Sequence, residues 1–321
     1  MKKHYLISLV TLCTAIFSGS SIASDYPSKP ITMVVGYGAG GGADAIARLY
    51  AEELGKALST SVIVENKPGA YEQIAGRAVA SAKPDGYTIY LNTTGGLVLA
   101  PLLQKLPFSP KDDFTNIGLV AEAEAVLAVK NGFPVTTFDE LISYARNNPD
   151  KVNYGSAGAG SASHLVTEHI KMLTNTKMTH IPYKSASDVS TSLASGNIDL
   201  ALVVPAAAVP LVKADKFKAI AVTGSERLQV LPNVPALSET SHKELQKMGV
   251  YAFYAMVGPK GLPNDVTQKL NHAIKQASES SNIQKRSQDL YFKPTFSTPD
   301  ALTTRIANDT ATWSTVTQHI Q

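Results

Sequence analysis

The chain has 321 residues, 44% of them hydrophobic, with 29 basic against 26 acidic side chains and one cysteine. That length and apolar content can bury large cores and commonly divides into two domains, while the near-balanced charge offers no basic block for nucleic acid or an anionic membrane. The lone Cys13 falls in a leader, so disulfides, thiol catalysis and cysteine metal sites are excluded from the rest.

The leader has three parts. Lys2 and Lys3 give a positive start, residues 6–17 are apolar, and Ser21-Ile22-Ala23 supplies the small residues of a cleavage site. This predicts a secretory signal peptide over 1–23, too short to span a membrane stably. Leu12 stands where a lipoprotein signal wants a small residue before Cys13, so an exported, unlipidated and soluble product is expected.

A strand over 31–35 then runs into Gly36-Tyr37-Gly38-Ala39-Gly40-Gly41-Gly42-Ala43-Asp44, which opens an amphipathic helix over 44–58. Glycines at a strand-to-helix junction let the backbone approach a ligand closely, with N–H groups and the positive helix end behind it, so this is an anion site. Gly36, Gly38 and Gly41 also satisfy the dinucleotide spacing, with Glu65 ending the next strand. A strand over 62–65, the turn Asn66-Lys67-Pro68-Gly69, a helix over 74–82, a second turn and a strand over 87–91 continue a βαβαβ order. Tyr71, Glu72 and Gln73 lie at one of its connections, on the cleft side.

The pattern restarts with a strand over 126–129. Thr137-Phe138-Asp139-Glu140 is a capping box opening a helix through Asn147, and a strand over 152–154 enters a second small-residue loop, 155–163. Helices over 164–173 and 189–194 alternate with strands over 178–181, 198–203 and 219–222. An apolar run over 250–257 leads back to the first unit, before helices over 265–280 and 300–318. The expected fold class is α/β with two domains: 24–124 with 250–321, and 125–249, joined by hinge strands near 125–129 and 250–257.

Ser156, Ser161, Ser163 and His164 raise the thought of a serine hydrolase, but no Gly-x-Ser-x-Gly elbow occurs, and a ligand-facing loop is the stronger reading. Neither do His164, His169 and His180 have metal-ligand spacing. No metal, no cofactor and no catalytic residue is expected. The candidate contacts of the first loop are Tyr37, Gly38, Gly40, Gly41, Gly42, Ala43 and Asp44. Those of the second are Ser156, Gly158, Ala159, Gly160, Ser161, Ser163 and His164. Tyr71, Glu72, Gln73, Thr93, Thr94, Tyr183, Lys184 and Pro205 are further candidates at strand ends.

An ordered series of motifs carries a resemblance. Tyr26-Pro27-Ser28-Lys29-Pro30-Ile31, Gly40-Gly41-Gly42-Ala43-Asp44, Val64-Glu65-Asn66-Lys67-Pro68-Gly69-Ala70 and Lys83-Pro84-Asp85-Gly86-Tyr87-Thr88 come first. Asn153-Tyr154-Gly155-Ser156-Ala157-Gly158, Ile181-Pro182-Tyr183-Lys184 and Leu231-Pro232-Asn233-Val234-Pro235 follow. Together they resemble the tripartite tricarboxylate transporter substrate-binding proteins, or Bug family. The resemblance implies a two-domain periplasmic binding protein of type II-like fold, each domain a mixed, mostly parallel sheet flanked by helices, with the ligand cleft between them. It also implies capture of a small carboxylate-bearing ligand by a monomer, closure about a hinge, and delivery to the permease components of a tripartite transporter. A sensor partner of a membrane signalling protein, and an exported dinucleotide-dependent oxidoreductase, remain as alternatives.

The chain departs from the family pattern at Gly36-Tyr37-Gly38-Ala39, at Ala43 in place of Thr or Ser, at Tyr71-Glu72-Gln73 in place of a common Gly-Gly-Asn, and at Val203-Val204-Pro205. The bulk and charge of Glu72, beside Tyr37 and Tyr71, predict a ligand with fewer carboxylates and a more apolar body than citrate.

Overall fold

The computed structural model describes residues 26–69, 72–248 and 251–320; the predicted leader and Tyr71 lie outside them. Strand β1 (Ile31–Val35) passes through the glycine loop into α1 (Gly42–Leu58), and β2 (Val62–Asn66) leads to α2 (Gln73–Ala80). β3 (Thr88–Thr93) ends in a π-helical turn, Gly95–Leu99, continued by α3 (Ala100–Leu103). β4 (Phe114–Ala123) is followed almost at once by β5 (Val126–Lys130), α4 (Phe138–Asn147), β6 (Asn153–Ser156) and α5 (Ala162–Thr174). Next come β7 (Thr179–Pro182), α6 (Ala186–Ala194), β8 (Leu200–Val203), α7 (Pro205–Lys213) and β9 (Phe217–Val222). β10 (Ala252–Pro259), α8 (Asn264–Glu279), α9 (Ser281–Leu290), β11 (Lys293–Pro294) and α10 (Pro299–Ile320) complete the described chain.

The strands form two sheets, in the orders β11-β4-β10-β3-β1-β2 and β7-β6-β8-β5-β9. Parallel pairing joins β1 to β2 and β3, and β6 to β7 and β8, where helices make the crossovers. The remaining pairings are antiparallel, because β5 follows β4 with no helix between and β10 returns to the first sheet between β3 and β4. The parallel content is therefore lower than a pure βαβ reading suggests.

Apolar spacing places α1. Ile46, Tyr50, Leu54 and Leu58 recur on one face and are buried against β1, β3 and the α8 side chains Leu270 and Ile274. The Tyr50 hydroxyl, inside this layer, donates to the Val120 carbonyl at 2.6 Å. The Thr137 capping box forms as the sequence predicts: Thr137 Oγ1 accepts from Glu140 N–H and the Glu140 carboxylate accepts from Thr137 N–H, both at 3.2 Å. Helix α10 packs on β4 of the first sheet and on α5 beside the second. Its Trp313 packs edge-on against His169 of α5 at 5.5 Å, and its Arg305 pairs with Glu122 of β4 at 2.8 Å.

Candidate functional site

The first glycine loop is braced from behind by its own helix. Asp44, in the first turn of α1 and only 3% exposed, accepts from Gly40 N–H at 2.9 Å, Arg48 Nε at 3.0 Å and Asn66 Nδ2 at 2.9 Å. Burial alone would raise the Asp44 pKa, but the bonds from Arg48, Gly40 and Asn66 outweigh it and hold the carboxyl below the ordinary range. Asn66 also donates to the Tyr37 carbonyl, so both ends of the loop are tied to β2. Gly40 has φ +83°, which a side chain resists, while Gly38, Gly40 and Gly42 face open space. Gly41 is the N-cap, and the N–H groups of the first turn, beginning at Gly42 and Ala43, have no partner inside the helix.

The second loop spends several donors on itself. Ala157 N–H donates to Ser163 Oγ at 3.1 Å, Gly158 N–H to Ser156 Oγ at 3.2 Å, and Gly160 N–H to His164 Nδ1 at 3.1 Å. Ser161 caps α5, its Oγ accepting from His164 N–H at 3.3 Å. His164 and His180 stack with ring centroids 4.0 Å apart, and Tyr154 lies beside both, 4.9 Å from His180 and 6.4 Å from His164. Burial, then the neighbouring His164 ring, pushes the His180 pKa down to about 4, and burial also lowers that of His164. Both rings are neutral at neutral pH. Ser156 Oγ lies 2.6 Å from His180 Nε2, yet Ser156 is fully buried, so this Ser–His pair organises the loop and offers no reachable nucleophile.

Between the sheets lies a cleft of about 930 Å³. Of the residues singled out in the sequence, Tyr37, Gly42, Ala43, Glu72, Thr93 and Thr94 line it from the first sheet. Ala159, Gly160, Ser161, His164 and Pro205 line it from the second. Gly38, Gly40, Gly41 and Gln73 do not reach its wall, and Asp44 is turned back onto Gly40. Ser156, Gly158 and Ser163 sit behind the second loop, tied to His180, to Ser156 and to Ala157. The Tyr183 ring packs against the Gly155 backbone, and Lys184 is exposed outside the cleft.

Several lining residues carry no local sequence signal. Leu99, Leu103, Tyr251, Tyr254 and Phe292 supply apolar and aromatic wall, and Glu124 lies at the crossing from β4 to β5. Burial raises Tyr251 and Tyr254 to about 12, so both hydroxyls stay protonated. Glu124 accepts from Thr223 Oγ1 at 2.8 Å, and burial pushes its carboxyl up to about 8. Among the described lining residues there is no lysine or arginine. Instead the starts of α1, α5, α6 and α7 contribute Gly42, Ser161, Ala186 and Pro205 to one cavity. A further hollow of about 770 Å³ between α6 and α7 shares Ser161, Val204 and Tyr251 with it.

Two mixed sheets with helix N-termini converging on the cleft between them define a two-lobed solute-binding protein. Residues 46–321 match the tripartite tricarboxylate transporter family receptor, and the chain belongs to that family. It is 35% identical over 280 residues to a UPF0065 protein of Bordetella pertussis, covering 87% of this chain and 85% of that one. A Rhodopseudomonas palustris protein solved with adipate is 28% identical with a TM-score of 0.77, covering 92% of this chain and 98% of that one. MatC from the same organism, with bound malate, is 29% identical with a TM-score of 0.72, covering 91% and 100%. The two lobes thus have the periplasmic binding protein fold that the sequence motifs implied. No described helix is long and apolar enough to cross a membrane.

Proposed function

We propose that this chain is a periplasmic receptor that captures an organic acid with one carboxylate and an apolar body, and hands it to the membrane components of a tripartite transporter. The observation that carries this reading is the convergence of the helix starts at Gly42, Ser161 and Ala186 on a cleft with no lysine or arginine among its described lining residues; the start of α7 at Pro205 faces it too but has no N–H of its own. Backbone N–H groups and helix ends hold an anion well where water is excluded. Charge-assisted bonds of about 1.5–3 kcal/mol each make micromolar binding reachable without ion pairing, after closure costs. Leu99, Leu103, Tyr251 and Phe292 suit a hydrophobic body, whereas Glu72 takes up polar donors of the wall that a further acid group would need. The adipate and malate held by the two Rhodopseudomonas neighbours support an acid as the ligand.

The lobes are residues 24–124 with 250–321, and 125–249, closing about the strands near 125–129 and 250–257. Binding and closure need no chemistry, so the protein acts as a carrier and not as an enzyme. Calorimetry with benzoate, glutamate, succinate and citrate tests the ligand class. Benzoate is expected to bind at least tenfold more tightly than glutamate, succinate or citrate; any of these di- or tricarboxylates binding tightest would overturn the reading.

A further inference from the structure

Glu72 is a carboxyl group in an unusual position. Only 4% exposed, it occupies the N-cap position of α2 in a left-handed backbone conformation, φ 68° and ψ 4°, and its side chain makes no capping bond. Its Oε1 accepts from the Tyr37 hydroxyl at 3.0 Å and from Thr93 Oγ1 at 2.5 Å, and its Oε2 from the Tyr90 hydroxyl at 3.0 Å. The Gly96 N–H is directed at it as well. Among the described residues no lysine or arginine pairs with it. A carboxylate is acceptor-only, and three hydroxyls with a backbone N–H are the complement it requires.

None of these donors belongs to α2. They come from the loop after β1, from β3 and from the turn that follows β3, so the first lobe builds the donor set independently of the helix that fills it. Glycines clear the space. A Cβ at Gly36 would come within 2.7 Å of Glu72 Cγ, one at Gly95 within 3.0 Å of Oε1, and one at Gly96 within 3.2 Å of Cδ. Tyr37, Thr93, Gly95 and Glu72 all border the cleft. A side chain held at positive φ, buried and without a cation, in a cradle assembled by other elements, is retained for something besides capping a short helix.

We propose that this cradle is a second carboxylate seat of the cleft, occupied from within by Glu72, so that the chain's own side chain stands where a ligand's second acid group would sit and excludes dicarboxylates. The inference rests on the receptor reading above and specifies the charge of the ligand. Oε1 and Oε2 use the donors that an incoming carboxylate would need, so a second acid group finds them already taken; burial raises the Glu72 pKa, so the exclusion rests on occupied donors and not on like charge.

The test vacates the seat and offers it a free carboxylate. Glycine suits φ 68° better than glutamate does, so Glu72→Gly deletes the carboxyl without opposing the backbone. Formate and acetate are expected to raise the melting temperature of Glu72→Gly saturably, above an equal concentration of chloride. The wild type and Glu72→Gln, whose second seats stay full, should show only the smaller rise that the first carboxylate seat gives, so the excess of Glu72→Gly over them is the reading. Glu72→Gly should also gain succinate or malate affinity by at least tenfold. Glu72→Ala repeats the titration if the glycine variant does not fold. A folded vacant variant that answers formate no better than the wild type does overturns the proposal, and so does loss of fold in both, since a seat built by other elements survives without Glu72. A wild type that binds no acid at all would overturn the receptor reading and leave the formate result standing.

Discussion

Glu124→Gln is expected to raise the melting temperature of the ligand-free protein at pH 8 and to leave it almost unchanged at pH 4.5. Burial lifts the Glu124 carboxyl from an ordinary 4.5 to about 8 in the folded state, so between those values the native chain holds a proton that the unfolded chain has released. Stability contributed by this site is complete below pH 4.5 and is lost as pH rises toward 8. The slope is about 1.4 kcal/mol per pH unit while the difference is fully expressed. Glutamine keeps the neutral shape and can still accept from Thr223 Oγ1, which itself accepts from Ala125 N–H at 2.8 Å. The substitution should therefore restore at pH 8 part of that loss, read as a rise of several degrees in the melting temperature for a chain of this size. Parallel melting curves for both proteins from pH 4.5 to 8.5 measure it. If the wild type and the variant lose stability equally across that range, the carboxyl is not held neutral by its surroundings.

Gly42→Val should abolish acid binding while leaving the fold intact. Gly42 is the first residue of α1 and lines the cleft, and a Cβ there would meet nothing within 4 Å. Valine is no worse than glycine inside a helix, so thermal stability should change by less than about 0.5 kcal/mol. Its methyl groups would occupy the space in front of the first-turn N–H groups, where a carboxylate must come within hydrogen-bond distance. Affinity for the best acid is expected to fall at least about 100-fold, equivalent to about 2.7 kcal/mol. Gly42→Ala should lie between. The neighbouring Gly41 is the weaker probe, because its Cβ would rest against the Gly38 carbonyl at 3.5 Å and the residue does not reach the cleft wall. Calorimetry giving normal affinity for Gly42→Val would remove α1 from the site.

The strand–loop–helix units are legible in the sequence because their signals are local. A glycine run between an apolar strand and a 3.6-residue apolar period reads as a junction without knowledge of the rest. β4 is not, since Asn116 and Gly118 interrupt its apolar pattern and its burial comes from α8, far along the chain. α7 is hidden by Pro205 and Pro210, although proline at a first helical position is well tolerated. Within the site, the location of Glu72 is readable but its inward orientation is not, because that depends on Gly36, Gly95 and Gly96 from other elements. Asp44 reads as a ligand contact by position, yet Arg48 four residues on is a signal that the carboxylate is used internally. Glu124 and Tyr251 lie on crossings between the sheets, where no periodicity or motif marks them.

The helix starts at Gly42, Ser161, Ala186 and Pro205 bear on how such receptors can diversify. An anchor made of main-chain amides is not encoded by any one side chain, so most point mutations in its neighbourhood leave it in place. Changes at Leu99, Leu103, Tyr251 or Phe292 reshape the wall around whatever the anchor holds. Under the receptor reading proposed above, a lineage of duplicated genes can exchange one acid for another while inheriting the grip unchanged, and on the proposed seat a glutamate at position 72 alters the number of acid groups accepted in a single step.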